Sequence, residues 1–165
     1  MRILVTGGVG YIGSHTCVEL LETGYDITVV DNLNNSKVEA LRRVEKLTGK
    51  QIDFVEADLL DAAGMSSAFS AFPVDGVIHF AAYKAVGESV EKPLEDYENN
   101  VAGTISLLKV MREHGCKNLV YSSSCTVYGE AEQIPITESA PTAAAESPYG
   151  WTKLMTEQIM RDLYA

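Results

Sequence analysis

The sequence predicts an α/β fold, a doubly wound parallel sheet of the Rossmann type, on three observations. Five short apolar runs recur along its 165 residues, a glycine-spaced turn follows the first run, and helical patterns separate the runs. Near-continuous apolar runs are typical of parallel strands that are buried on both faces. Their alternation with helices indicates right-handed βαβ crossovers.

The pattern places each element in order. The predicted strands are 3–6, 27–31, 53–58, 76–81 and 118–122, and the predicted helices are 12–23, 36–48, 61–71, 93–113 and 149–164. In the predicted helix at 93–113, Pro93 suits the first turn, and Gly115 suits a position just past the helix end. The stretch 129–148, which contains three prolines and many small residues, is typical of a long active-site loop.

Composition excludes several classes of partner. Lys and Arg number 13 against 23 Asp and Glu, a net charge of −10, which argues against nucleic acid and anionic membrane surfaces. No apolar run approaches the ~18 residues of a membrane span. Cys17, Cys116 and Cys125 show no metal-ligand spacing, and the three histidines are dispersed, so no metal site is predicted. An odd number of cysteines without a signal peptide predicts reduced thiols and a cytoplasmic protein.

The glycine-spaced turn has the features of a pyrophosphate-binding loop. Gly7 permits a tight strand-to-helix turn, Gly10 keeps side-chain atoms away from a bound phosphate, and Gly13 lets the helix pack close to the strand. The N-terminus of the following helix presents unsatisfied N–H groups to an anion. The spacing is Gly-x-x-Gly-x-x-Gly rather than the general Gly-x-Gly-x-x-Gly, so the strand before it and the helix after it carry the prediction.

Two aspartates follow the next strands. Asp31 comes about 20 residues after the turn, where a carboxylate binds ribose hydroxyls and favours NAD over NADP. Its alternative role is to cap the loop 32–36. Asp58, placed at the end of the third predicted strand, fits an adenine contact and a strand-end cap equally well.

Tyr149 and Lys153 lie one helical turn apart, so their side chains reach the same space. A lysine cation beside a phenol favours the phenolate, the form that a general base needs. Ser124, in a serine cluster that the pattern places at the carboxyl edge of the sheet, is suited to hydrogen-bond a substrate hydroxyl. These residues predict a nicotinamide-dependent enzyme acting on an alcohol or a sugar. The alternatives are a solvated helix face for Tyr149 and Lys153, and serines that only satisfy loop backbone groups, as we expect of Ser122 and Ser123.

Along all 165 residues the chain resembles the extended short-chain dehydrogenase/reductase family, and within it the UDP-glucose 4-epimerases. The segments that carry the resemblance are 5–15, 31–36, 79–90, 99–104, 122–129 and 147–153. The resemblance implies Ser124, Tyr149 and Lys153 as the catalytic set. It implies that NAD is contacted by this set and by Gly7, Gly10, Tyr11, Ile12, Gly13, Asp31, Asn32, Asn35, Ser36, Asp58, Leu59, Phe80, Ala81, Ala82, Lys84 and Asn99.

The activity implied is the interconversion of UDP-glucose and UDP-galactose in galactose metabolism, through transient oxidation at carbon 4 of the sugar. The resemblance also implies a homodimer in which helices 93–113 and 149–164 pair across the interface. Other nucleotide-sugar epimerases and 4,6-dehydratases are alternatives, although dehydratases commonly carry Thr-Asp-Glu where this chain has Ser124, Cys125 and Thr126.

Chains of this family are about twice as long. Residues 1–165 are therefore expected to form an NAD-binding Rossmann domain that lacks its last strands, with the C-terminal nucleotide-sugar-binding domain absent. By itself such a piece is expected to be inactive. The alternative of another class is a non-catalytic module that binds NAD or dimerises.

Overall fold

The computed structural model describes residues 1–131, 133–142 and 145–164. The strands are β1 (Arg2–Thr6), β2 (Asp26–Asp31), β3 (Asp53–Glu56), β4 (Gly76–His79) and β5 (Leu119–Tyr121). The α-helices are α1 (Tyr11–Glu22), α2 (Glu39–Thr48), α3 (Ala62–Ala71), α4 (Val86–Glu91), α5 (Pro93–Tyr97), α6 (Gly103–Glu113) and α7 (Pro148–Tyr164). A π-helical segment spans Glu98–Ala102 and a 3₁₀ helix spans Cys125–Tyr128.

The chain divides into two compact units. The first comprises Met1–Ala82 and Ile105–Ser122, and the second comprises Tyr83–Thr104 and Ser123–Ala165. A single NAD-binding domain over 1–165 stays a prediction. Residues 132, 143 and 144 of the predicted loop, and residue 165, lie outside the described part of the chain.

The first unit contains one five-stranded sheet in the order β3-β2-β1-β4-β5. Every neighbouring pair is parallel. The chain winds outward from β1 to β3, crosses back to place β4 on the other side of β1, and continues to β5. This arrangement confirms the predicted doubly wound sheet. The strand order reverses between β1 and β4, which is where ligands bind at the carboxyl ends of such strands.

Alternate side chains of β1 enter two separate hydrophobic cores. Leu4 packs in one core with residues of α3 and α6, among them Met65 and Leu107. Ile3 and Val5 pack in the other with residues of α1 and α2. Because successive side chains of a strand point to opposite faces, a strand buried on both faces must be apolar throughout. The apolar run that predicted the strand follows from this burial.

Strand ends were predicted too late in three cases. The third, fourth and fifth strands stop at Glu56, His79 and Tyr121 rather than at residues 58, 81 and 122. One further backbone bond to the neighbouring strand follows each end, donated by the N–H groups of Ala57, Phe80 and Ser122. The predicted core role of His79 is confirmed, because its ring is 1% exposed and its Nδ1 lies 2.6 Å from the Thr6 hydroxyl.

The predicted helix at 93–113 is helical over its whole length, but it is not uniformly α-helical. The structure divides it into α5, the π-helical segment and α6. Asn100, in the middle of the interruption, is 2% exposed, and its side-chain amide accepts from the N–H of Tyr83 at 2.7 Å and donates to the carbonyl of Tyr83 at 2.9 Å. An asparagine amide that binds a distant backbone competes with regular helix geometry. Helix α4 and the 3₁₀ helix were not predicted.

Candidate functional site

Two positions of the glycine turn exclude any side chain. Gly7 has a φ of +68°, and a Cβ there would lie 2.6 Å from the backbone nitrogen of Ala81. A Cβ on Gly13 would lie 2.3 Å from the carbonyl oxygen of Gly7. The chain after β4 therefore approaches Gly7 closely, and α1 packs directly on the turn.

Gly10 leaves open space beside the start of α1. Among the described residues other than its chain neighbours, only Gly7 has an atom within 4 Å of a Cβ built there, its carbonyl oxygen at 3.3 Å. Within the described ranges, no side chain caps this helix and its first turn has no acidic residue. First-turn N–H groups lack acceptors within the helix and carry partial positive charge. The turn therefore has the room and the donors to hold a pyrophosphate.

The carboxylate of Asp31 joins the glycine turn to the loop after β2. Its Oδ2 accepts from the N–H of Val9 at 3.1 Å. Its Oδ1 accepts from the N–H of Leu33 and from the hydroxyl of Ser36, both at 2.9 Å. The expected loop cap is therefore present, and the same carboxylate also fixes the turn. A carboxylate has about four acceptor positions, so this network leaves capacity for a ligand hydroxyl.

Asp58 does not end a strand, since β3 stops two residues earlier. Its Oδ2 accepts from the Asn32 side chain at 2.6 Å, and its Oδ1 accepts from the N–H of Leu60 at 2.9 Å. The aspartate thus ties the loop after β3 to the loop after β2. The predicted strand-end position is wrong, and an adenine contact stays a prediction.

Tyr149 and Lys153 lie in the first turns of α7, within the second unit. The Lys153 Nζ is 5.8 Å from the centroid of the Tyr149 ring. Tyr149 is 9% exposed and Lys153 3%. Burial lowers the pKa of Lys153 from 10.5 to about 8. A solvated helix face for this pair is therefore wrong: the structure encloses a tyrosine and a lysine in contact, an arrangement suited to proton handling near neutral pH.

Backbone contacts hold the turn that carries Tyr149. The N–H of Tyr149 donates to the Ser89 hydroxyl at 3.2 Å, and the N–H of Gly150 donates to the Ser147 hydroxyl at 3.1 Å. The hydroxyl of Thr152 donates to the Tyr149 carbonyl at 2.7 Å. The tyrosine backbone is therefore fixed at both its amide and its carbonyl.

Ser124 begins the 3₁₀ helix rather than ending β5, which stops three residues earlier. Its side chain accepts from the N–H of Thr126. Ser123 donates to the carboxylate of Glu157 on α7, so the expectation that Ser123 serves only loop backbone groups is wrong. The serine cluster is thus divided, with one hydroxyl bound to α7 and another at the start of the 3₁₀ helix.

Comparison with known proteins identifies the family. The model of the NAD dependent epimerase/dehydratase family matches residues 3–165. The chain belongs to this family. It is 58% identical over 164 residues to UDP-glucose 4-epimerase of Bacillus subtilis, covering 99% of this chain and 48% of that protein. It is 52% identical over 168 residues to the mouse UDP-glucose 4-epimerase, covering 98% and 48%. The predicted resemblance is confirmed.

Solved structures of this family agree with the fold. UDP-glucose 4-epimerase from Bifidobacterium longum, in complex with NAD+ and UDP, superposes with a TM-score of 0.98 at 51% identity, covering 99% of this chain and 49% of that chain. The enzyme from Stenotrophomonas maltophila, with bound NAD and formylated UDP-arabinopyranose, gives 0.95 at 46% identity, covering 99% and 48%. The chain spans about half the length of the curated relatives it matches.

The predicted site residues of this family member fall in both units. The first unit contains Gly7, Gly10, Tyr11, Ile12, Gly13, Asp31, Asn32, Asn35, Ser36, Asp58, Leu59, Phe80, Ala81 and Ala82, and the second contains Lys84, Asn99, Ser124, Tyr149 and Lys153. The Leu59 side chain is 7% exposed and packs in a hydrophobic core, so it offers a ligand only its main chain. The Asn99 amide donates to Asn100 Oδ1 at 2.9 Å.

Three residues of the second unit were given no role by the sequence reasoning. Ser89 contacts the Tyr149 backbone, Thr126 contacts Ser124, and Asn100 donates to the Thr152 hydroxyl at 3.2 Å. All three lie within segments that carried the family resemblance, which was the available signal. The partners of Ser89 and Asn100 are distant in sequence, so no local pattern could name them.

Metal and membrane functions receive no support from the described residues. Among them, no group of three or more His, Cys, Asp and Glu side chains is placed to hold a metal ion. None of the helices in the described ranges has the length and apolar character needed to cross a membrane. Cys17 and Cys116 are buried free thiols, and Cys125 is an exposed one. Burial raises the pKa of Cys17 to about 12, so this thiol is unsuited to act as a nucleophile.

Proposed function

We propose that the protein interconverts UDP-glucose and UDP-galactose, with NAD as its cofactor. The observation that carries the proposal is the buried Tyr149–Lys153 pair at the start of α7 in a chain of the NAD dependent epimerase/dehydratase family. The names of its relatives at 52% and 58% identity support the substrate.

The residues of the first unit fit NAD. In our proposal, the glycine turn and the start of α1 hold the pyrophosphate, because Gly10 leaves room and the first-turn N–H groups supply donors. Asp31 accepts from the adenosine ribose and disfavours a 2′-phosphate. When bound, NAD supplies the acceptor and donor of hydride for a reversible oxidation. The remaining predicted contacts are Tyr11, Ile12, Asn32, Asn35, Ser36, Asp58, Leu59, Phe80, Ala81, Ala82, Lys84 and Asn99.

Three residues of the second unit handle the proton. Tyr149 takes the proton of the sugar 4-hydroxyl as the alcohol becomes a ketone, and returns it when the ketone is reduced on its opposite face. Ser124 donates a hydrogen bond to the same oxygen. Lys153 stabilises the phenolate electrostatically and binds the nicotinamide ribose hydroxyls. Its pKa of about 8 leaves the cation predominant at pH 7.

Substitution of Tyr149 by phenylalanine tests the proposal. We expect Tyr149→Phe to lower UDP-galactose turnover by about 10²–10⁴-fold, because a positioned acid–base group contributes that much. The assay measures UDP-glucose formation with NAD in the protein that carries this sequence at the length of its relatives. Tyr164→Phe, at a 95% exposed tyrosine of the same helix, is the matched control. Near-normal turnover by Tyr149→Phe would exclude the proposed base.

The alternatives predict different outcomes in the same assay. Because the chain spans about half the length of its relatives, we propose that its 165 residues alone have negligible turnover. Ready conversion by the purified 165-residue chain contradicts this, whereas NAD binding without turnover at any length favours a non-catalytic module. A dehydratase function lacks support, because Cys125 and Thr126 supply no carboxylic acid where dehydratases commonly have Asp and Glu.

Two further properties belong to this proposal. We propose a homodimer through 93–113 and 149–164, supported by exposed apolar side chains in these ranges, among them Leu94, Trp151, Met155 and Leu163. We also propose a cytoplasmic location, supported by the free thiols of Cys17, Cys116 and Cys125.

A further inference from the structure

The hydroxyl oxygen of Ser124 receives two hydrogen bonds from one residue. The Thr126 hydroxyl donates to Ser124 Oγ at 3.0 Å, and the Thr126 N–H donates to the same atom at 3.3 Å. Both residues are partly buried. Thr126 therefore presents two donors to the oxygen that the proposed mechanism places against the substrate.

These two hydrogen bonds determine whether the Ser124 hydroxyl can donate to a ligand or accept from it. A hydroxyl oxygen has two acceptor lone pairs and one proton. With both lone pairs engaged by Thr126, Ser124 can interact with a ligand only as a donor. In the part of the chain that the structure describes, the Ser124 proton meets no acceptor. A donor is what a sugar oxygen needs as it loses its own proton and gains negative charge.

Thr126 also abuts the turn that carries Tyr149. A Cβ on Gly150 would lie 3.3 Å from both the carbonyl oxygen and the hydroxyl of Thr126, and 3.0 Å from the Cβ of Ala145. The glycine after Tyr149 thus lets the 3₁₀ helix approach the first turn of α7. One threonine contacts Ser124 on one side and the residue next to Tyr149 on the other.

We propose that Thr126 is a positioning residue, which holds the Ser124 hydroxyl as an obligate hydrogen-bond donor and sets its place relative to the first turn of α7. The role rests on the proposed function, because it concerns how Ser124 meets the sugar 4-oxygen. In this role Thr126 acts through Ser124 rather than on the sugar itself.

The test compares Thr126→Val, which keeps the shape and removes the hydroxyl donor, with Thr126→Ser, which keeps the donor. In the protein that carries this sequence at the length of its relatives, we expect Thr126→Val to lower kcat for UDP-galactose about tenfold with KM unchanged, because the lost bond acts on transition-state charge. Thr126→Ser should restore most of kcat. Thr137→Val is the matched control: Thr137 Oγ1 and Ser139 Oγ form the same two-residue hydroxyl pair, at 2.9 Å, on an exposed loop.

Crystal structures of the same variants give a second readout that does not depend on turnover. In Thr126→Val we expect Ser124 to populate more than one χ1 rotamer, and in Thr126→Ser to keep one. An unchanged kcat together with a single Ser124 rotamer in Thr126→Val overturns the proposal. An equal loss of kcat in Thr126→Val and Thr126→Ser also overturns it, because the Thr126 hydroxyl would then not be the cause. If the unsubstituted enzyme has no turnover, the proposed function fails, and the Ser124 rotamer alone decides the role of Thr126.

Discussion

At the scale of single residues, Lys153 costs folding energy. Its side chain is 3% exposed, and burial moves its pKa from 10.5 to about 8. A pKa lowered on folding means that the ammonium is less stable in the folded chain than in the unfolded chain. Residues with such shifted pKa values cluster at functional sites, where a buried charge serves the chemistry at a cost in stability.

Replacing Lys153 should therefore stabilise the chain without nucleotide. At pH 7 we expect Lys153→Met to raise the free energy of unfolding by up to about 3 kcal/mol, the value that corresponds to the pKa difference. Between pH 8 and 10.5 the Lys153 side chain keeps its proton only in the unfolded state of the unsubstituted chain. The free energy of unfolding of that chain therefore rises with pH, and the stability advantage of Lys153→Met shrinks.

Urea denaturation between pH 7 and 10 measures both effects. Lys109→Met is the control, since Lys109 is exposed on α6 and should change stability by less than about 0.5 kcal/mol. A difference between Lys153→Met and the unsubstituted chain that stays constant across this pH range would contradict the lowered pKa.

At the scale of elements, α7 shows how a helix start is completed by another helix. Early helix positions have no acceptors within the helix. Pro148 has no N–H, Gly150 donates to the Ser147 side chain, and Tyr149 donates to Ser89. Ser89 belongs to α4 and is 0% exposed, and its own hydroxyl donates to the Val86 carbonyl at 2.7 Å. Ser89 therefore supplies the acceptor that α7 lacks at its second residue.

Removal of the Ser89 hydroxyl should leave the N–H of Tyr149 buried without an acceptor. We expect Ser89→Ala to lower the free energy of unfolding by about 1–3 kcal/mol, the cost of an unsatisfied buried donor. Hydrogen exchange of the Tyr149 amide should become faster. Ser67→Ala is the control, because the Ser67 hydroxyl is exposed and donates within its own helix to Ala63. Unchanged protection of the Tyr149 amide in Ser89→Ala would refute the capping role.

At the scale of the whole molecule, the second unit exposes several large apolar side chains. Leu94 is 79% exposed, Val90 63% and Met155 42%, and all three lie on its helices. Where exposed apolar side chains form one patch, the patch is typical of protein–protein interfaces. This exposure supports the homodimer of the proposed function.

Charge placed on these helices should prevent association. We expect the unsubstituted chain to have twice the monomer mass by size-exclusion chromatography with light scattering, and the double variant Leu94→Glu, Met155→Glu to have the monomer mass. Leu47→Glu is the control, since Leu47 is 74% exposed on α2, outside the proposed interface. A monomeric unsubstituted chain, or a dimeric double variant, would rule out this interface.

The sequence by itself determined the fold class and the succession of strands and helices along the chain. It also identified the glycine turn and the Tyr149–Lys153 pair. These features are encoded locally: a strand buried on both faces must be apolar throughout, Gly7 needs a positive φ, and one helical turn separates the tyrosine from the lysine. These features do not depend on which distant residues pack together.

Only the tertiary structure decided the strand ends, the π-helical segment at Asn100, and the hydrogen-bond partners of Ser89 and Thr126. Ser89 meets Tyr149 across 60 residues, and Asn100 meets Thr152 across 52. A hydroxyl or amide can bond to many partners, and the choice among them depends on which groups burial leaves without water. That choice is made by packing, so the sequence supplies the donors and acceptors while the folded chain pairs them.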